Sequence, residues 1–172
     1  MRGRIAVCAM IVAALGYLWH RIGMVLVAWL LGNTDMIVGL DCCVDYHRNA
    51  PDPWANVLIA LSGVICTQVV AWTAIALLAA RRGPTWGLTT VAVTLFAVSP
   101  VLQLVVYLVW HYAERDYVAV IDYTYLATGL PLEALIAVYV VLFVGYGVVF
   151  GLALRAARER AGAGAVRRPA AG

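Results

Sequence analysis

The chain has 172 residues, of which 65% are hydrophobic and only 12% are charged. Soluble domains are about 45–50% apolar and about 25% charged, so this composition excludes an ordinary soluble domain. The formal net charge is +3, but the sequence has no basic stripe with interleaved aromatic residues, which argues against nucleic-acid binding.

Four apolar runs are long enough to cross a bilayer. A helix needs about 20 residues to span a hydrocarbon core of about 30 Å, and backbone groups in lipid must be hydrogen-bonded within the segment. The sequence therefore predicts an all-α integral membrane protein, with a four-helix transmembrane domain in residues 1–154. The first run continues well past Cys8, which favours an uncleaved helix over a signal peptide. The predicted helices cover about residues 5–31, 57–80, 86–110 and 130–154.

Arginine residues cluster before the first predicted helix, between the second and third, and after the fourth. The connection between the first and second helices and the connection between the third and fourth are acidic. The basic residues at these ends are Arg2, Arg4, Arg81, Arg82, Arg155, Arg158, Arg160, Arg167 and Arg168. By the positive-inside rule, both termini are expected in the cytoplasm, and we expect the inner or plasma membrane of a bacterium or archaeon. The tail, residues 155–172, is predicted to be a basic cytoplasmic helix extension that frays into disorder and attracts anionic lipid.

The first run carries an unusual pair, His20 followed by Arg21. An arginine at bilayer depth costs about 2.5–3.5 kcal/mol, so both side chains are predicted to face the bundle interior or water. Met24 lies one helical turn after His20 on the same face. Gly16 and Gly23 would allow another helix to approach closely.

The cysteines fall into two groups. Cys8 and Cys66 lie within helices and are predicted to be packing residues. Cys42 and Cys43 belong to a polar stretch, Asp41 to His47, that gathers metal-ligating residue types. Such a cluster can hold zinc, but its spacing is not that of a zinc knuckle, which favours a polar loop.

Two further polar positions interrupt the apolar pattern. Asp52 is predicted to cap the second helix, with Pro53 in its first turn, and Asn56 then points an amide into the bundle. Asp122 lies between apolar residues before the fourth helix. It is predicted either to be partly buried and to seek a cation, or to be an ordinary loop acid that faces water.

These places, in this order, resemble the site-2 protease family of intramembrane zinc metalloproteases. "HRIGMVLVAWLLG", from His20 to Gly32, is similar to the family's "HELGHALAA…LLG" pattern. "DPWAN", from Asp52 to Asn56, is similar to the family's Asn-bearing helix start, and Asp122 stands where the family has its third zinc ligand. The resemblance implies a bundle like the site-2 protease core.

The same resemblance implies a loss of catalysis. Arg21 stands where the family has its general-base Glu, and Met24 stands where it has its second zinc-binding His. Arginine stays protonated and cannot act as a base, and methionine is a poor zinc ligand. The resemblance therefore implies an inactive scaffold without a bound cofactor, although zinc held by His20 and Asp122 remains an alternative.

In such a scaffold, the positive charge of the metal is expected to be replaced by Arg21. Its guanidinium is predicted to form an ion pair with Asp122 or Glu133. Removal of one partner of a buried ion pair leaves an uncompensated charge, which typically costs about 3–5 kcal/mol.

Three functions follow as hypotheses. The first is a non-catalytic membrane scaffold that binds other membrane proteins or their transmembrane segments within the bilayer. The second is an accessory subunit of a respiratory or transport complex. The third is a divergent intramembrane metalloprotease, in which His20 and Asp122 bind the metal together with His47 or His111.

Overall fold

The computed structural model describes residues 2–33, 36–38, 44–46, 52–109 and 116–165 of the chain. The helices are α1 (Arg2–Leu30), α2 (Pro53–Ala79), α3 (Thr85–Phe96), α4 (Leu102–Val109), α5 (Asp116–Thr128) and α6 (Leu132–Ala165). A π-helical turn, Ala97–Val101, joins α3 to α4, and two short strands, β1 (Met36–Val38) and β2 (Val44–Tyr46), follow α1.

Four segments are long and apolar enough to cross a membrane: α1, α2, the continuous α3–α4 segment and α6. The predicted four apolar helices are confirmed, and the bounds of the first three agree with the prediction to within a few residues. The strands form an antiparallel pair in which Met36 lies opposite Tyr46. This small ribbon between the first two spans is an addition to the all-α prediction.

The second span is the central helix of the bundle. Half of its most apolar window is buried, against 11% for α6. Its start is fixed as predicted, because Asp52 Oδ1 accepts a hydrogen bond of 3.0 Å from the Trp54 N–H and Pro53 occupies the first turn. A side-chain acceptor at this position satisfies one of the otherwise unpaired N–H groups of a helix start.

Small residues and aromatic rings make up the core between α2, α3 and α6. Ala71 and Ala92 are fully buried and let the helix backbones approach closely. Phe96 stacks on Phe150 with 4.3 Å between ring centroids, and Trp72 meets Phe150 edge-on at 5.6 Å. Aromatic rings therefore fill the space between α6 and its neighbours, and small residues let the helix backbones pack closely.

The last helix continues beyond the predicted end of the fourth span at residue 154, as far as Ala165. The prediction assigned residues 155–172 to a helix extension that frays into disorder, and of these residues 166–172 lie outside the described part of the chain. Alanines at a four-residue spacing, Ala153, Ala157 and Ala161, belong to the core cluster or pack against it. Arg81 Nε also donates a 3.1 Å hydrogen bond to the Arg160 carbonyl, so the extension is docked on the end of α2.

The connection between the third and fourth spans contains a helix that the sequence did not predict. α5 has 13 residues, a length of about 20 Å at 1.5 Å per residue, which is too short to span a bilayer. Val120 on α5 is buried against Val57 and Ala60 in the first turns of α2. α5 is therefore packed at the end of the bundle where α2 begins.

Candidate functional site

Polar side chains from all four spans lie near the middle of the bundle. His20 is in α1, Ser99 is in the π-helical turn and Tyr146 is in α6, while α2 contributes two consecutive residues. A buried polar group is unfavourable unless it is hydrogen-bonded, so the contacts among these groups determine what they do. We call the set the polar belt: His20, Thr67, Gln68, Ser99 and Tyr146.

His20 is buried, with 6% of its surface exposed, and it is held between α2 and the third span. Its Nδ1 lies 3.5 Å from Ser99 Oγ, at the outer limit of hydrogen bonding. Its ring packs on Gly63, where an added Cβ would lie 2.5 Å from Nε2. Absence of a side chain at position 63 is therefore what makes room for the imidazole.

The contact between His20 and Ser99 extends to Thr67. The Thr67 hydroxyl is 2.7 Å from Ser99 Oγ and 2.7 Å from the Val64 carbonyl oxygen. A hydroxyl has one hydrogen to donate. If Thr67 donates to Val64, Ser99 donates to Thr67 and accepts from a protonated Nδ1; if Thr67 donates to Ser99, Ser99 donates to an unprotonated Nδ1. The direction of the chain is thus coupled to the tautomer of the histidine.

The helix of the third span is interrupted at Pro100, next to Ser99 of the polar belt. Pro100 has no N–H to donate, and around it the backbone switches to the i→i−5 pattern, in which the Leu102 N–H donates to the Ala97 carbonyl. In that pattern a backbone donor at position 100 would pair with the Leu95 carbonyl. Gln68 Nε2 donates to this carbonyl at 3.3 Å, so an α2 side chain hydrogen-bonds the backbone of the third span beside the break.

The second half of the polar belt ties α6 to α2. Trp72 Nε1 donates to Tyr146 Oη at 2.8 Å, and Tyr146 Oη donates to Gln68 Oε1 at 2.7 Å. Together with the bond from Gln68 to Leu95, this makes one continuous chain across three helices. The two ends of the Gln68 amide are therefore both used.

An open groove of about 730 Å³ runs along this hydrogen-bonded chain between α2 and α6. The α2 side of the groove includes Leu61, Ile65, Gln68, Trp72 and Ala76. The α6 side consists of Tyr139, Leu142, Phe143 and Tyr146. These residues recur every three or four positions on each helix, which is the spacing of a helix-packing face.

Arg21 is buried, with 8% of its surface exposed, as the sequence predicted for this part of α1. Its Nη2 donates a 2.9 Å hydrogen bond to the Tyr17 hydroxyl, and the guanidinium carbon lies 5.1 Å from the Tyr17 ring centroid. A guanidinium over a tyrosine ring gains a favourable cation–π interaction. The tyrosine one turn earlier therefore contributes to holding the arginine inside the bundle.

The predicted ion pair between Arg21 and Asp122 is not formed among the described residues. Asp122 lies on the exposed side of α5, whereas its neighbours Val120 and Ile121 face inward with 1% and 2% of their surface exposed. Glu133, the alternative partner, is also exposed, at the start of α6. The apolar neighbours of the acid mark the buried side of a helix, and the acid itself lies on the other side.

Met24 packs in a small apolar cluster with Ala28 and Ile59. This contact puts the thioether in the seam between α1 and α2, one turn from His20. Met24, which the sequence resemblance compared with a zinc ligand, is therefore a packing residue.

Asn56 is fully buried, and its position is unusual. Neither its Nδ2 nor its Oδ1 has a hydrogen-bond partner among the described residues. It lies seven residues before Gly63 on α2, and so on the face that meets His20. The inward-pointing amide that the sequence predicted is present.

Replacement of Asn56 by leucine is expected to raise the free energy of unfolding by about 1–3 kcal/mol, because an unpaired buried amide is unfavourable. The measurement is equilibrium unfolding in mixed micelles. Asn33→Leu is the matched control, since Asn33 is also buried but its Nδ2 donates to the Ala28 carbonyl at 3.1 Å. Asn33→Leu should destabilise the protein; a similar loss for Asn56→Leu would contradict the prediction.

The residues that could hold a metal are only partly within the described structure. No group of three or more His, Cys, Asp or Glu side chains with metal-binding geometry occurs among the described residues. His20 and Asp122 are on different helices, one buried and one exposed. His47, His111, Cys42 and Cys43 lie outside the described residues, and Cys8 and Cys66 are free thiols within helices.

Sequence reasoning missed most of the polar belt. Thr67 and Gln68 are adjacent polar residues in an otherwise apolar run, and Ser99 precedes a proline in another. Polar residues in the middle of a span usually face the bundle interior, which is the signal that could have identified them.

Comparison of this chain with protein-family models, with curated proteins and with solved structures gives no match.

Proposed function

We propose that this chain is a non-catalytic membrane protein that binds a transmembrane segment of another protein in the groove between α2 and α6. The observation that carries the proposal is the groove itself. Its α2 wall extends from Leu61 to Ala76, about 22 Å along the helix, which is most of the thickness of a hydrocarbon core. An occupant of this length that lies parallel to α2 and α6 is a helix.

The chemistry of the walls supports a helical occupant. Small residues at such surfaces let backbones approach, and polar side chains hydrogen-bond across helices. The groove offers Thr73 and Ala76 as small residues and Gln68 with Tyr146 as polar ones. Exposed side chains such as Val69 and Leu142 complete an apolar surface for a third helix.

The residues at the motif positions support a role without catalysis. The Arg21 guanidinium donates a hydrogen bond to Tyr17, and Met24 is part of the seam between α1 and α2. His20 has Nδ1 directed at Ser99 and Nε2 against Gly63. Its ring is thus used in packing and hydrogen bonding.

A distant relationship to site-2 proteases is part of the proposal. His20 and Asn56 lie on the packed pair of helices α1 and α2, in the order that the resemblance implies. The exposed position of Asp122 departs from that plan. An accessory subunit of a larger membrane complex would use the same groove, and the experiment below identifies the bound segment in either case.

The orientation in the membrane is also proposed. Arg2 lies at the start of α1, Arg81 follows α2, and Arg155 begins the charged part of α6. These residues are at one end of the bundle, which we assign to the cytoplasmic side of a bacterial or archaeal plasma membrane.

Photo-crosslinking tests the groove. A photoreactive residue at Leu142, on the groove wall, is expected to form an adduct with an apolar segment of one partner protein in native membranes. Val69→Trp on the opposite wall should lower the yield about tenfold, because a side chain that overfills a packed interface costs about 1–3 kcal/mol. The measurement is peptide mapping of the adduct by mass spectrometry.

The matched control places the photoreactive residue at Leu15 of α1, which is exposed to a similar degree, 59% against 62% for Leu142, but lies outside the groove. Equal adduct patterns at Leu15 and Leu142, or adducts only with lipid at Leu142, would contradict the proposal.

A further inference from the structure

A second cleft lies at the end of the bundle where α2 connects to α3. It has a volume of about 560 Å³ and runs between the start of α3 and the charged part of α6. Thr85 forms its α3 side, and Arg155, Arg158 and Glu159 belong to its α6 side. The cleft is separate from the groove of the proposed function, which lies between the apolar parts of α2 and α6.

The depth of this cleft follows from the residues around it. The apolar part of α6 ends at Leu154, so Arg155 is the first charged residue after the span. Trp86, next to Thr85, is 44% exposed, as expected for an aromatic anchor at the membrane–water boundary. The cleft is therefore at the level of the lipid headgroups, and its apolar wall, Gly151 and Leu154, is at the level of the first acyl carbons.

The charge around the cleft is positive. Arg81 and Arg82 lie in the adjoining connection, and α6 adds three more arginines, at 155, 158 and 160, against Glu159 as its acid in this stretch. Glu159 Oε1 accepts a 2.9 Å hydrogen bond from Arg155 Nε and so offsets one of these charges. Arg158, on the same wall, is the charge that this pair leaves available to a ligand.

Space for a lipid is also present. An added Cβ at Gly151 or at Gly162 would have no atom within 4 Å, so the α6 wall is open beside both glycines. A phosphate held by a guanidinium through charge-assisted hydrogen bonds would leave its acyl chains directed along the apolar wall toward the membrane centre.

From these observations we propose that the cleft binds the phosphate headgroup of an anionic phospholipid, with Arg158 as the main contact and Arg155 as a second contact restrained by Glu159. The site would fasten the extended end of α6 to one lipid in the leaflet that faces the arginine-rich side. The proposal is independent of the partner-binding groove.

The test measures retention of phosphatidylglycerol by the full chain in detergent, using native mass spectrometry, with phosphatidylcholine as the uncharged comparison. Arg158→Gln is expected to weaken phosphatidylglycerol binding about fivefold, the effect of one arginine near an anionic surface. Glu159→Gln is expected to strengthen it, because Arg155 loses its competing carboxylate. Arg158→Lys, which keeps the charge, should retain most of the affinity.

Arg160→Gln is the matched control, because it removes one charge from the same helix at a position outside the cleft lining. An equal loss with Arg160→Gln and Arg158→Gln would show a diffuse attraction and overturn the site. Equal binding of phosphatidylcholine, or binding of inorganic phosphate as strong as that of the lipid, would also overturn it. Thermal midpoints within a few degrees of one another for all variants would exclude unfolding as the cause.

Discussion

Alanine at Gly23 or Gly63 is expected to lower the free energy of unfolding by about 1–3 kcal/mol, the usual effect of overfilling a packed interior. At Gly23 the new Cβ would lie 2.9 Å from the Ser62 carbonyl oxygen and 2.7 Å from Cys66 Sγ. A backbone oxygen in the middle of α2 can move only if the helices separate. At Gly63 the obstacle is the His20 ring, which is held by neighbours on two helices.

Two other glycines provide matched controls in the same membrane environment. At Gly16 the nearest atom would be a terminal methyl of Leu95, at 2.5 Å, and this flexible end can rotate away. At Gly145 in α6 nothing lies within 4 Å. Gly16→Ala should therefore have a small effect and Gly145→Ala almost none, when unfolding is followed by denaturant titration in mixed micelles.

A double-mutant cycle separates the packing effect from a general loss of helix flexibility. In a His20→Ala background, Gly63→Ala should lose most of its effect, because the ring that the new methyl would meet is gone. Gly23→Ala should keep its effect in that background, since its obstacle is the backbone of α2. Equal effects of all four alanine substitutions would contradict the view that α1 and α2 are in contact at these two positions.

The number and position of the spans could be predicted because they depend on local properties of the sequence. Run length determines whether a helix can cross a bilayer, and Asp52 with Pro53 mark the start of α2 through bonds within one turn. The burial of His20 and Arg21 also followed from a local argument, the cost of polar groups in lipid.

Features that depend on distant contacts were not predictable in the same way. The break at Pro100 is visible in the sequence, but its partner Gln68 comes from another helix. The length of the α6 extension depends on alanines that pack against the core cluster, and the composition of the tail does not show where the helix ends. The apolar residues around Asp122 do not determine which side of a helix the acid occupies. That side depends on how α5 packs on α2.

Gln68→Leu is expected to lower the free energy of unfolding by about 1–2 kcal/mol, although leucine is the more apolar residue. It would remove the donor to the Leu95 carbonyl and the acceptor for the Tyr146 hydroxyl. A buried group left unpaired costs about 1–3 kcal/mol, and hydrogen bonds within membranes reach at most about 1.7 kcal/mol. Thr73→Val is the control, because Thr73 bonds only locally to the Val69 carbonyl.

The contribution of Gln68 should depend on the proline that it compensates. Pro100→Ala supplies a backbone N–H, which in the i→i−5 pattern would pair with the carbonyl that Gln68 serves in the native chain. In this background Gln68→Leu should lose about half of its effect, whereas Tyr146→Phe should keep its own. If Gln68→Leu lowers the free energy of unfolding by the same amount in the Pro100→Ala background, the amide acts only through Tyr146, as a link between α2 and α6. If the effect is smaller in that background, the contribution of Gln68 to stability is coupled to the break at Pro100.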